Sequence, residues 1–139
     1  MMEGLLRKSY LAKLGDFVFD LESLPFQKLD RDSAYRWASL SVFGREPLKH
    51  YLGPDSEKIN ISGTIYPHFR GGLGQIDKLR SMARQGKPFL LVAMDSKIGQ
   101  SLGQWIIKAI KEARTIFLDN GVPQKIEFTL EIESYVPPL

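Results

Sequence analysis

The sequence contains no cysteine, and this absence removes several kinds of chemistry at once. Disulfide bonds, thiolate nucleophiles and cysteine-based zinc sites are all excluded. Histidine is scarce as well: His50 and His68 are far apart, and neither belongs to a metal-binding pattern such as H-E-x-x-H. The sequence therefore predicts a protein with no metal site and no bound cofactor.

Long apolar runs are also missing. The first fifteen residues, MMEGLLRKSYLAKLG, carry apolar residues only in ones and twos, which excludes a signal-peptide core or a membrane span there. The net charge is +3 over 139 residues, which is too small to argue for a nucleic acid or an anionic membrane as partner. We expect a soluble protein of a reducing compartment, with no membrane partner and no specific nucleic-acid partner.

One short stretch fits a catalytic pattern. GQSLG, from Gly99 to Gly103, matches the G-x-S-x-G pattern in which serine hydrolases place their nucleophile, here Ser101. That arrangement needs a strand before the serine, a helix after it, and then an acid and a histidine later in the chain. Both histidines lie upstream, and the residues after Gly103 look like a strand. We interpret GQSLG as a loop between two strands and predict that the protein is not an enzyme.

Alternation of apolar and polar residues predicts several β-strands. It is present in GDFVFDLESLP, SAYRWASLSVFG and KINISGTIYP, and the third segment contains Gly63, which we interpret as a β-bulge. A fourth segment, PFLLVAMD, is apolar throughout and predicts a buried strand. One helix is predicted over about residues 73–85, because apolar residues recur there at spacings of three and four and Gly86 follows.

The C-terminal third predicts a β-hairpin. Asn120 and Gly121 form a pair that favours a tight turn, and a long strand with one apolar face follows it. The preceding segment QWIIKAIKEARTIF also has helical spacing, but we favour a strand, because the turn and the following strand need a partner. The predicted fold class is α+β: a mostly antiparallel β-sheet with one principal helix and a C-terminal β-hairpin.

The order of these segments resembles the GpU family, tail protein U of Peduovirus-type contractile-tailed phages, to which proteins of R-type tailocins are similar. The resemblance covers about Leu14 to Tyr135. It is carried by four segments in order: LGDFVFDLESLPFQKLDRDSAYRWA, YLGPDSEKINISGTIYP, IDKLRSMARQGKPFLL and GQWIIKAIKEARTIFLDNGVPQKIEFTLEI.

The resemblance implies a virion structural protein with no catalytic residues. Its expected place is the baseplate core of a contractile tail, around the start of the inner tube, after assembly in the cytoplasm of the bacterial host. The expected partners are tube, hub, sheath-initiator or baseplate wedge proteins, with six copies of this chain in a ring.

The expected domain organisation is an N-terminal extension or arm over residues 1–13, which precedes the usual start of the family, one GpU-like domain over 14–136, and a C-terminal tail over 137–139. The extension is interpreted either as a frayed terminus or as an arm that folds onto a neighbouring subunit. We expect contacts with neighbouring proteins from the arm, from Pro25–Arg45 and from the loop Asp95–Gly103. The individual candidates are Leu5, Leu6, Leu11, Arg31, Tyr35, Arg36, Trp37, Arg45, Lys97 and Gln100.

Two alternatives stay open beside the baseplate hypothesis. A tail tube or tail terminator subunit also uses a small α+β fold in sixfold rings. A small nucleic-acid-binding domain is less favoured; it would use the basic and aromatic strand around Arg36 and Trp37, but nearby acidic residues reduce its positive charge.

Overall fold

The computed structural model describes residues 12–19, 26–66, 73–95, 98–117 and 123–138 of the chain. These residues form nine strands and one helix. In chain order the elements are β1 (Ala12–Leu14), β2 (Phe17–Phe19), β3 (Lys28–Asp32), β4 (Tyr35–Leu40), β5 (Leu48–Pro54), β6 (Lys58–Ile65), α1 (Leu73–Arg84), β7 (Phe89–Asp95), β8 (Ile98–Phe117) and β9 (Pro123–Ser134).

Seven of the strands form one sheet in the order β2-β1-β7-β8-β9-β6-β3, and every pair in it is antiparallel. Strands β4 and β5 form a separate two-stranded sheet, also antiparallel. With the single helix of the described residues, this confirms the predicted α+β class and the predicted helix, which ends one residue earlier than expected, at Arg84. Gly86 follows it with φ of +65°, as the sequence predicts for a helix end.

The core lies on one face of the seven-stranded sheet, under the helix. The apolar positions of β9 and β6 supply its centre, because alternate residues of a strand point to the same face. The predicted apolar face of β9 is confirmed, and α1 adds two buried residues. The central members are Ile59, Ile61 and Ile65 of β6, Ile76 and Leu79 of α1, and Ile126, Phe128, Leu130 and Ile132 of β9, each at most 5% exposed.

An ionic contact joins the helix to the sheet. Arg80 of α1 donates a hydrogen bond from Nη1 to Oε1 of Glu112 in β8, at 2.7 Å, and Arg114 binds the other carboxylate oxygen. The Glu112 side chain is only 8% exposed. Burial by itself raises the pKa of this carboxyl, but the hydrogen bonds and charges of the two arginines outweigh burial and hold the pKa below its usual value. Glu112 therefore stays ionised and fixes α1 against β8.

Strand β8 settles one ambiguity and corrects one expectation. Its C-terminal half is a strand, as we predicted over the helical alternative, and it pairs with β9 from Trp105 onward. Its N-terminal half includes the segment that we expected to be a loop, and that expectation is wrong. Gln100 and Ser101 pair with Ala93 and Val92 of β7. The predicted turn residues 120 and 121 lie outside the described residues.

A bulge in β8 explains why the GQSLG segment fits inside a strand. Leu102 and Gly103 together oppose Leu91, and Gly103 takes up the extra residue with φ of +87°. The indole N–H of the buried Trp105 donates to the carbonyl oxygen of Leu102 at 2.9 Å. The glycines of this segment therefore serve strand geometry, and the buried indole has its hydrogen-bond partner.

Two further predictions about strands are corrected. Gly63 is not a bulge, because the register between β6 and β9 is unbroken and Gly63 lies directly opposite Phe128. Strand β7 is not buried throughout, because Leu91 is buried whereas Leu90 is 47% exposed. The other apolar residues of β7, from Phe89 to Met94, are only partly buried.

The start of the sheet overlaps the predicted N-terminal arm. Ala12 and Lys13, the last two residues of that arm, belong to β1 and pair with Ala93 and Val92 of β7. Ala12 is fully buried. Residues 1–11 lie outside the described residues, so the arm and the other domain boundaries stay predictions.

Candidate protein-interaction surface

The most exposed apolar part of the described structure is a two-stranded ribbon, which we call the β4–β5 hairpin and define as residues 35–54. Its strands pair only with each other, from Tyr35 opposite Pro54 to Leu40 opposite Leu48. A bulge at Leu52 interrupts the register between Arg36 and Trp37. The hairpin therefore leaves both of its faces and both of its edges outside the seven-stranded sheet.

Polar contacts hold the base of the hairpin. The backbone N–H of Asp55 donates to the carbonyl oxygen of Ala34 at 2.9 Å, which closes the ribbon. Just beyond it, Arg31 Nε donates to Glu57 Oε1 at 2.7 Å. Glu57 also exchanges two hydrogen bonds with Ser134, one to the serine hydroxyl and one from the serine N–H, both at 2.9 Å. Ser134 is the last residue of β9, an interior strand of the seven-stranded sheet, so these hydrogen bonds attach the base of the hairpin to that sheet.

One face of the hairpin is aromatic. Directly paired residues share a face, so Trp37 and Tyr51 lie side by side, with ring centroids 4.9 Å apart. Tyr35 is on the same face, and both Tyr35 and Trp37 are 59% exposed. Toward the tip this face becomes polar, where Lys49 Nζ donates to Ser39 Oγ at 2.9 Å. Rigid aromatic side chains with a polar atom are the type most often found at protein contacts.

The opposite face carries exposed aliphatic side chains, and the turn at the tip carries an exposed aromatic one. Leu40 and Leu48 form the last pair before the turn, and they are 63% and 44% exposed. Phe43, in the turn, is exposed over its whole surface. On this face Arg36 turns inward along the ribbon and donates from Nη2 to the carbonyl oxygen of Leu52 at 3.4 Å. Apolar groups therefore face solvent on both sides of the ribbon.

Exposure on this scale is concentrated in the hairpin. Elsewhere in the described residues, only Tyr66, Leu90 and Val136 are large apolar side chains with comparable exposure. Single exposed apolar residues are normal, whereas a contiguous exposed group marks a contact site. The hairpin is therefore the candidate functional surface of this chain.

The structure brings together part of the predicted contact set. Tyr35, Arg36 and Trp37 lie in β4, Arg45 lies in the turn, and Arg31 lies at the base, where it binds Glu57. Gln100 lies apart from them, exposed in β8 opposite Ala93. Leu5, Leu6, Leu11 and Lys97 are outside the described residues. The role of all ten as contacts stays a prediction.

Sequence reasoning missed half of this surface, because it did not recognise β5. The segment LKHYLGP contains a glycine and a proline and lacks a regular alternation of apolar and polar residues, so its pattern predicts no strand. The missed members include Leu48, Tyr51 and Leu52. Tyr51 opposite an aromatic strand is the signal that could have found it, because aromatic pairs across strands are common.

The described residues offer little for catalysis or metal binding. Ser101 is near the start of a strand that continues to Phe117, so it is not followed by the helix that a nucleophile elbow needs. No group of three or more His, Asp or Glu side chains within the described ranges could hold a metal ion. In the part of the chain that the structure describes, no helix combines the length and the hydropathy needed to cross a membrane.

The fold is shared with chains of gene transfer agent (GTA) particles. A chain in the virion of a native gene transfer agent (GTA) particle superimposes with a TM-score of 0.59 and 15% identity, over 94% of this chain and 93% of that one. A chain in the tail of an empty GTA particle, which has C6 symmetry, gives 0.57 and 14% over the same shares. At these identities the likeness shows a common fold.

The sequence itself shows the family. The family model of Phage P2 GpU matches residues 15–136, so the chain belongs to that family, as the resemblance predicted. A relative described as "Probable tape measure protein" of Halomonas phage phiHAP-1 is 31% identical over 134 residues. This match covers 96% of the chain but only 15% of the relative, so the chain spans a small part of that longer protein.

Proposed function

We propose that this protein is a structural component of a contractile phage tail or tailocin that acts in tail assembly through protein contacts, without catalysis. Membership of the Phage P2 GpU family and the fold likeness to GTA particle chains support a role in the tail. The observation that carries the proposal is the β4–β5 hairpin. It exposes aromatic and aliphatic side chains on both faces while the seven-stranded sheet has a closed core of its own.

Within the tail, we place the protein in the baseplate core around the start of the inner tube. Six copies would form a ring there, with tube, hub, sheath-initiator or wedge proteins as partners. The sixfold symmetry of the GTA tail is consistent with such a ring. A tail tube or tail terminator subunit is the alternative, and it differs in copy number, because a tube subunit repeats along the whole tail.

A tape measure protein is a further partner that one observation favours. In the Halomonas phage relative, a segment similar to this chain is part of a much longer protein with that description. Joining two segments in one polypeptide keeps each at a high effective concentration near the other, which is useful where they act together. We propose that this chain, as a separate protein, works beside a tape measure protein.

A stop codon at Trp37 in the source phage or tailocin tests the role in assembly. We expect heads without tails, or baseplates without tubes, in negative-stain electron micrographs of the induced lysate, and rescue by the wild-type gene on a plasmid. Normal numbers of complete tails without the plasmid would contradict a structural role. Quantifying this chain against the tube protein in purified tails then separates the two positions: six copies per tail for a single ring, many more for a tube subunit.

A further inference from the structure

The β4–β5 hairpin has a feature that an ordinary docking surface lacks, because its two faces are apolar in different ways. Tyr35, Trp37 and Tyr51 lie on one face, and Leu40 and Leu48 lie on the other. A flat partner would cover one face and leave the other in water. A single partner that covers both faces has to surround the ribbon.

We propose that the hairpin inserts into a two-walled groove of a different tail protein, with apolar walls and an acidic rim. This inference rests on the proposed function, since it names the kind of partner that the same surface takes. The aromatic face packs on one wall, the leucine pair packs on the other, and Phe43 at the tip reaches the floor of the groove.

The exposed area is sufficient for a specific contact. Tyr35, Trp37, Phe43 and Tyr51 are between 46% and fully exposed. At roughly 150–250 Å² for each aromatic side chain, they present on the order of 500 Å², well over half of the ~800 Å² that one partner usually contributes to a stable interface. The leucines add to this area only if the second wall is present.

The ribbon also needs its walls for stability. A hairpin of two strands is marginally stable in water, because it has no third strand or helix to bury its side chains against. Here the internal support is one aromatic pair, Trp37 with Tyr51, and a few polar contacts. The two walls would supply the burial that the seven-stranded sheet supplies to its own strands.

Charge and composition favour a different protein over a second copy of this chain. Residues 35–54 contain three permanent cations, Arg36, Arg45 and Lys49, against one carboxylate, Glu46. An acidic rim complements this excess. Within the described residues, the rest of the chain exposes only three large apolar side chains, each on a separate segment, which disfavours a neighbouring copy as the partner.

Site-specific crosslinking in assembled tails tests the inference. The chain has no cysteine, so single substitutions Tyr51→Cys and Leu48→Cys each place one reactive thiol on one face of the hairpin. Lys78→Cys, on the exposed side of α1, is the matched control. Tails carrying each variant are purified and treated with a short crosslinker that joins the thiol to nearby amines, and the crosslinked peptides are identified by mass spectrometry.

We expect the cysteines at 51 and 48 to crosslink to one and the same protein, different from this chain, at two separate segments of its sequence, and the control to give a different pattern. Crosslinks to other copies of this chain would overturn the inference, as would crosslinks from one face only, or none from either face in tails that contain the protein. Where Tyr51→Cys prevents assembly, Lys49→Cys reports on the same face. If the chain is absent from purified tails, the proposed function itself fails, which is a separate result.

Discussion

Two phenylalanines, one buried and one exposed, test whether the core is needed for folding and the hairpin for assembly. Phe128 is 2% exposed in the core, and Phe43 is exposed over its whole surface at the tip of the hairpin. The same substitution, Phe→Ala, at the two positions removes the same atoms. Only the surroundings differ, so any difference in effect belongs to the structure.

The magnitude follows from what surrounds each ring. Phe128 lies in β9 between β6 and β8, and both neighbouring strands are held in register by their ladders, so the cavity has little freedom to collapse. Phe→Ala at such a buried position lowers the free energy of unfolding by about 3–5 kcal/mol. For a domain of this size that corresponds to a fall in melting temperature of roughly 10–15 °C. Phe43→Ala should change stability by no more than about 0.5 kcal/mol, because a solvated ring has no packing to lose.

The assay has two parts: thermal unfolding of the purified chains followed by circular dichroism, and tail counts from electron micrographs after complementation of the Trp37 stop mutant. Phe43→Ala should keep the wild-type melting temperature and yield fewer complete tails. Equal losses of melting temperature in the two variants would refute the assignment of core and surface. A Phe43→Ala variant that assembles tails in normal numbers would refute the role of the tip in assembly.

Two further predictions concern the sheet and its turns. Glu112→Gln should lower stability by about 1–2 kcal/mol at pH 7, since hydrogen bonds to charged groups are lost while the two arginines remain partly solvated. The pKa of Glu112 is lower in the folded chain than in the unfolded chain, so the difference in stability between wild type and variant should persist above about pH 4.5 and shrink as the pH falls through the folded pKa. Urea titrations at pH 7 and pH 3 measure this difference. An equal difference at both pH values would contradict the ionised contact. Gly15→Ala should destabilise the chain by about 1–3 kcal/mol, because φ is +60° and a Cβ atom would lie 2.8 Å from Phe89 Cδ1. The matched control is Gly44→Ala, where φ is +78° and no atom lies within 4 Å of the added Cβ, so only the strain of the backbone conformation lowers stability there. Denaturant midpoints of the two variants measure the difference, and a smaller loss for Gly15→Ala than for Gly44→Ala would contradict the close approach.

The sequence was sufficient for the parts of the fold in which periodicity and burial agree. Strand β9 is an example: its alternate residues from Ile126 to Ile132 are all buried, so the pattern has only one interpretation. Strand β8 was ambiguous on its own, and its partner across the predicted turn decided the matter correctly. The family was also recognisable from the sequence, because the order of segments covers nearly the whole chain.

The errors have a common physical cause. Where a strand is stabilised by its neighbours in the sheet rather than by its own pattern, local reasoning does not find it. Residues 98–103 contain two glycines and look like a loop, yet they pair with β7, and Gly103 is used for a bulge. Strand β5 is exposed on both faces, so burial leaves no alternation to detect, and half of the candidate surface was missed for this reason.

The way in which the hairpin joins the sheet has a mechanical consequence. Strand β5 continues through Glu57 into β6, and β6 pairs with β9 over eight residues, from Lys58 to Ile65. A force that pulls on the chain at Glu57 along the direction of β6 therefore loads this ladder in shear. Its hydrogen bonds share the load at the same time instead of opening one after another. Beneath the ladder, the buried side chains of both strands resist the same sliding movement. In a particle that transmits force along its axis, this attachment lets the β4–β5 hairpin bear tension without being peeled from the seven-stranded sheet.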